Sequence, residues 1–192
     1  MLAGYFKKIG MRRFTVMAIG NLFLGMGISI FKLSGLGNDP FSGMVMALSD
    51  RTGITYALFL VMVNAVLFLY EITAGRKLIG AGTLINAFLL GYIVTFFYDI
   101  WLTFIGTPEQ MPQRVITVLT GVIITSFGVS LYQYPNVGVA PYDSISLIWC
   151  RKKPHVPYFW YRISTDTFCA LICWLSGGII GLGTLLAAFG LG

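Results

Sequence analysis

The chain has 192 residues, 57% of them hydrophobic and 10% charged, with a mean hydropathy of +0.82. That composition excludes an ordinary soluble domain and points to an integral membrane protein. The net charge of +6 comes from 13 Lys and Arg against 7 acids, but the bases cluster beside apolar runs, which is an orientation signal and no reason to invoke nucleic acid.

The N-terminal stretch "MLAGYFKKIGMRRF" puts Leu2, Phe6 and Ile9 on one helical face and Lys8 and Arg12 on another. Residues 1–13 therefore read as an amphipathic helix lying along an anionic cytoplasmic leaflet. Uncharged runs follow at Phe14 to Phe31, Ile54 to Tyr70, Leu78 to Tyr98, Val115 to Tyr142, and Thr167 to the C-terminus. Each is near or above the roughly 17–25 residues that cross the hydrocarbon. No small-residue cleavage site follows the first run, which reads as a membrane helix and not as a signal peptide.

Between the first two runs lies "GLGNDPFSGMVMALSD", and about a hundred residues later "VGVAPYDSISLIWC" has the same shape. The resemblance is part of a longer one. Shifting the chain by 101 residues, without a gap, matches Arg13 with Arg114, Gly20 with Gly121, Gly27 with Gly128, Gly37 with Gly138 and Pro40 with Pro141. The match extends to "GAGTLINAFLLG" from Gly80 on "GLGTLLAAFGLG" from Gly181. A gapless register with repeated Gly, Pro and Thr indicates two homologous halves, 14–101 and 114–192, joined by a loop at 102–113. Gly91 is followed by about ten more helical residues whereas its counterpart Gly192 is the last residue, so the final helix reads as cut short.

Pro40 to Ser49 would rise about 15 Å as a helix, half the hydrocarbon. It reads as a re-entrant half-helix with Asp39 as N-cap and Pro40 in the first helical position. The fold class expected is thus all-α, six transmembrane helices plus two re-entrant half-helices, in two halves of opposite topology. With the N-terminus cytoplasmic, Lys7, Lys8, Arg12, Arg13, Arg76, Lys77, Arg151, Lys152 and Lys153 lie inside, and Lys32, Arg51 and Arg114 outside. Eight parallel crossings give the same division of bases; the shortness of the proline-headed elements favours the inverted arrangement.

The motifs "GNDPFS", "TGITY", "GRKLIGAGTLINAFLLGY", "GVAPYDSI" and "GGIIGLGTLLAAFG" resemble the YczE/YyaS/YitT family of bacterial inner-membrane proteins, closest to its YczE branch, over nearly the whole chain. The resemblance implies a multi-pass protein of the bacterial cytoplasmic membrane. It also implies, through the frequent placement of YczE-like genes beside regulators that sense pyridoxal phosphate, a link to vitamin B6 or amine metabolism. It carries over no catalytic or binding residues.

In inverted repeats, broken helices meet near the midplane and offer unpaired N–H groups and partial positive charge. Here those ends are Asn38-Asp39-Pro40 and Val139-Ala140-Pro141, with Tyr142 and Asp143 beside the second. Asp39 serves as cap and as lining of a solute site, two compatible roles. Arg162 and Asp166 stand four residues apart, within a span, as either a functional pair or a packing ion pair. Asn64, beside the position equivalent to Asp166, and Asn86, among the small residues Thr83, Ala87 and Gly91, complete the candidate substrate-binding set. Glu71 and Asp99, near helix ends, read as interfacial. The three cysteines and one His form no metal-ligand set, and the cysteines read as packing.

A transporter or channel for a small polar solute, neutral, zwitterionic or cationic, follows as the first functional expectation, with vitamin B6-like compounds among the candidates. A membrane-embedded regulator or assembly subunit is the alternative. No nucleophile constellation suggests an enzyme and no resident cofactor is expected. No nucleotide-binding motif is present, so the partners expected are the bilayer, the solute, and either a second copy or a separate energising subunit.

Overall fold

The computed structural model describes residues 10–190, which are all helix and connection. The segment expected to lie on the leaflet falls mostly outside them; Arg12 and Arg13 belong to the first turn of α1, Met11–Ser34, and are exposed. After α1 come α2 (Pro40–Thr52), α3 (Tyr56–Ala74), a 3-10 turn (Arg76–Leu78) and α4 (Ala81–Phe104). Then follow α5 (Met111–Gln133), α6 (Pro141–Lys152), α7 (Tyr158–Leu175) and α8 (Leu182–Gly190).

Four helices, α1, α3, α4 and α5, are long and apolar enough to cross a membrane. Outward stripes such as Leu58, Met62, Val66 and Leu69 on α3 and Ile116, Leu119, Ile123 and Phe127 on α5 are exposed, as a lipid-facing surface requires and an aqueous one disfavours. Among the other expected crossings, α7 has 18 residues and carries Arg162 and Asp166, and α8 has nine described residues. Two of the uncharged runs are not continuous helix. The run from Val115 leaves helix after Gln133, because Pro135 cannot continue the ladder and Asn136 turns at φ 53°. The run from Thr167 is interrupted at Ser176–Gly181, where Gly177 adopts φ 80°.

The two proline-headed elements are helices of 13 and 12 residues, about 20 and 18 Å long. Both start with Pro at the first position. The side chain of Asp39 accepts from the backbone N–H of Ser42 at 3.0 Å, so the expected cap is present. Asn38 Nδ2 donates to the carbonyl of Ile28 at 3.3 Å, tying the start of α2 back to the lower part of α1.

α1 is the most enclosed of the four long helices and runs antiparallel to α5. Gly20 faces the backbone of Leu131 and Tyr132, Gly27 faces Thr125, Gly128 faces Leu24, and Gly121 faces the ring of Phe31. These are contacts at which a β-carbon has no room at Gly20, Gly27 and Gly128, the close approach small residues permit where no hydrophobic effect drives helices together. Gly27→Val and Gly20→Val should each lower the thermal stability of the detergent-solubilised chain by about 1–3 kcal/mol through overpacking. Gly190→Ala, with its nearest neighbour 4.0 Å away, should leave the melting temperature unchanged; equal effects at all three positions would refute the packing.

Candidate functional site

The loops before α2 and α6 dock on the starts of α8 and α4 through main-chain hydrogen bonds. Gly82 N–H donates to Val137 O at 2.9 Å, and Gly183 N–H to Leu36 O at 3.0 Å. Val139 N–H also donates to Leu78 O at 3.0 Å. These contacts require bare glycines: a β-carbon at Gly82 would stand 2.7 Å from Gly138 O, and one at Gly183 2.5 Å from Gly37 O. The first turns of α2 and α6 are thereby brought face to face. Phe41 and Tyr142 stack with ring centroids 4.3 Å apart and planes 10° from parallel.

Beside that stack lies a cavity of about 280 Å³. Its polar lining comes from Asp39 and Ser42 on α2, Asn86 on α4, Thr125 and Gln133 on α5, Tyr142 and Asp143 on α6, and Tyr158 and Arg162 on α7. Arg162 is the hub. Its Nη1 pairs with Asp143 Oδ1, and its Nε lies 3.3 Å from Asp166 Oδ2. The hydroxyl of Tyr142 donates to Asp166 Oδ1 at 2.5 Å, and that of Tyr132 donates to Asp143 Oδ2. Gln133 Nε2 donates to the Tyr132 hydroxyl oxygen at 3.0 Å, and the Arg162 guanidinium sits 4.9 Å over the Tyr142 ring.

The expected residues divide three ways. Asp39, Asn86, Tyr142, Asp143 and Arg162 line one cavity, and Asp166, only 3% exposed, stands behind it, held by Arg162 and Tyr142. Pro141 is buried at the head of α6 and serves the backbone. Asn38 and Asn64 lie elsewhere. Asn38 faces a larger cavity, about 710 Å³, on the other side of α2, because its amide is drawn to Ile28. Asn64 is spent on helix packing, its Nδ2 donating to Ala87 O at 3.4 Å.

Arg162 and Asp166 pair as their spacing implied, and α6 delivers Asp143 to the same guanidinium. Glu71 lies near the end of α3 as expected but is fully buried, with Ile148 of α6 packed against Gly75 one turn on; Asp99 is exposed. Sequence reasoning missed Tyr132, Gln133, Thr125, Tyr158 and Asn21, which accepts from Asn86 Nδ2 at 3.1 Å. Polar residues recurring on the inner face of α5 were the available signal.

Two lining atoms have no protein partner: Asp39 Oδ2 and Thr125 Oγ1. Asp143 and Asp166, by contrast, share one cation. Arg162→Leu should destabilise the protein by about 3–5 kcal/mol, since two carboxylates lose their counter-charge. Arg162→Leu with Asp166→Leu should recover only part of this, and adding Asp143→Asn should recover more; thermal unfolding in detergent measures the series, and full recovery by the double variant would detach Asp143 from the cluster.

Over residues 11–192 the chain matches the model of DUF6198, a family of unknown function. It is 28% identical to an uncharacterized protein of Haemophilus influenzae over 180 residues, covering 93% of this chain and 79% of the relative. It is 27% identical to the uncharacterized protein YyaS of Bacillus subtilis (91% and 86% covered) and 26% identical to that organism's uncharacterized membrane protein YczE (92% and 80%). No solved structure matches it. With its apolar spanning helices and a match along almost its whole length, the chain is a membrane protein that belongs to the DUF6198 family, a YczE-like relative of YyaS and YczE.

Proposed function

We propose that the protein is a transporter or channel for a small polar solute, built as an inverted-topology repeat of six crossings and two re-entrant half-helices in the bacterial cytoplasmic membrane. The repeat is supported by contacts that exchange under the 101-residue shift. Gly27 meets Thr125 while Gly128 meets Leu24; Gly82 bonds Val137 while Gly183 bonds Leu36; and Phe41 stacks on its own counterpart, Tyr142. Such reciprocity is the signature of a two-fold axis, which between antiparallel elements lies in the membrane plane.

The observation that carries the functional reading is a charged cavity on that axis. Its walls include the equivalent positions Leu24 and Thr125, Ile28 and Val129, Asp39 and Ala140, Ser42 and Asp143, Asn86 and Ala187, the place where inverted repeats bind solutes. Asp39, Asp143 and Asp166 against Arg162 leave two negative charges. The two half-helix N-termini offset about one of them. The balance suits a cation or zwitterion better than phosphate or sulfate. Asp39, whose Oδ2 is free, is the counter-ion to an ammonium group, and Tyr142 and Tyr158 offer faces to a ring. Ring-bearing amines and alcohols, vitamin B6 forms among them, are the leading solutes. Asp143, Arg162, Asp166 and Tyr142 are engaged with one another, which favours as a second reading a regulator or assembly subunit that moves nothing. Neither reading involves catalysis.

In liposomes, pyridoxamine should stabilise the protein and be taken up while phosphate does neither. Asp39→Asn, which keeps the capping oxygen, should preserve the melting temperature and weaken binding by about tenfold or more, the loss of a charged contact. Retention of full uptake by Asp39→Asn combined with Asp143→Asn would reject the site, and binding without uptake would favour the regulator. For orientation, the N-terminus is placed in the cytoplasm by the basic residues. Single cysteines at Arg51 and Lys77 in a cysteine-free background should label from outside and inside respectively; labelling of both from one side would reject the inverted repeat.

A further inference from the structure

Glu71 is unused by the cavity described above. It lies in the last turns of α3 with its side chain wholly buried and neither carboxylate oxygen hydrogen-bonded. Among the described residues the only ion pairs are those of Arg162, so no base compensates it. α6 packs against this end of α3 with Ile148 on Gly75; it carries Asp143 in its first turn and Cys150, Arg151 and Lys152 at its far end. On its own side Tyr70 bonds Trp149, and Arg76 turns back to donate to Ile72 O, with Lys77 exposed. The titratable groups of α4, Tyr92, Tyr98 and Asp99, lie far along that helix from its start beside Leu78, and Asp50 and Arg51 of α2 lie at the opposite end of α3. A bare carboxylate in such a place is among the costliest groups a membrane protein can hold. Packing does not demand it either, for the position 101 residues on is Ile172, an apolar side chain packed against the core.

We propose that Glu71 is a proton-binding site linked electrostatically to the Asp143–Arg162–Asp166 cluster, which gives the transport reading its coupling ion and rests on it for that meaning. Buried, the group is the neutral acid. When Ile148 moves off Gly75, the carboxyl O–H bond breaks, the proton passes to water at the Arg76–Lys77 end, and the carboxylate remains until reprotonated. Asp143 is the link, because it lines the cavity in which Asp39 holds the solute's ammonium. A cation there and a proton at Glu71 compensate the same surplus of negative charge, so solute and proton are exchanged and not carried together.

The chain contains two glutamates, Glu71 and the exposed Glu109, so labelling the glutamate side-chain carboxyl with carbon-13 singles them out without any substitution. Infrared difference spectra between acid and alkaline buffer, on the full chain in lipid nanodiscs, should show a protonated-carboxyl band that shifts with the label. It should persist in Glu109→Gln, vanish in Glu71→Gln, and titrate in Asp143→Asn at a pH different by about half a unit or more. Absence of a label-sensitive band, its loss in Glu109→Gln, an unchanged titration in Asp143→Asn, or a band that forms only when sodium is withdrawn would overturn the proposal, the last in favour of a sodium site. Should Glu71→Gln fail to fold, the labelled wild type and Glu109→Gln suffice. No solute enters this measurement, so failure of pyridoxamine to bind would remove the transport reading and leave the proton site standing, while a missing band would do the reverse.

Discussion

Non-helical backbone inside a bilayer must find hydrogen-bond partners within the protein, because lipid offers none. The non-helical segments Leu36 to Asp39 and Val137 to Ala140 find partners by leaning on the glycine-rich starts of α8 and α4, with Gly183 and Gly82 donating to Leu36 and Val137. The rest of the architecture depends on this docking. It fixes where α2 and α6 begin, so Phe41 meets Tyr142 and the two N-terminal turns share one cavity. The glycines are there for contact more than for flexibility, since side chains at positions 82 and 183 would separate the elements whose backbones they join.

Charge is then distributed around that fixed centre. Asp39 is committed on one oxygen to capping α2 and is free on the other. Arg162 pairs with both Asp143 and Asp166 while lying over the Tyr142 ring, so one guanidinium couples α6 to α7. A planar donor fork suits this better than a lysine, whose single ammonium could not span two carboxylates and an aromatic face.

The polar and charged lining of the cavity comes from differences between positions 101 apart. Where the backbones correspond, the cavity-lining side chains do not: Asp39 answers to Ala140, Asp143 to Ser42, Asn86 to Ala187, Thr125 to Leu24. Buried Glu71 answers to Ile172. In the proposed two-fold reading an asymmetric site sits on a symmetric scaffold, with Asp143, Asp166 and Arg162 on the side of the cavity formed by α6 and α7 and Asp39 alone on the side of α2.

Much of this was legible in the chain. Membrane residence followed from composition, the short helices from Asp39-Pro40 and the second Pro141, and Asp39, Asp143, Arg162 and Asp166 stood out as charges in apolar surroundings. These are local signals, set by propensity, capping and the cost of burying charge. Tertiary structure alone decided the partners. It turned Asn38 away toward Ile28, spent Asn64 on α4, gave Arg162 a second carboxylate from another helix, and closed Ile148 over Glu71. The physical reason is that a side chain's direction and burial depend on which helix face meets it across the bundle, and that is set by close backbone contacts between segments far apart in sequence, not by the residues on either side of it.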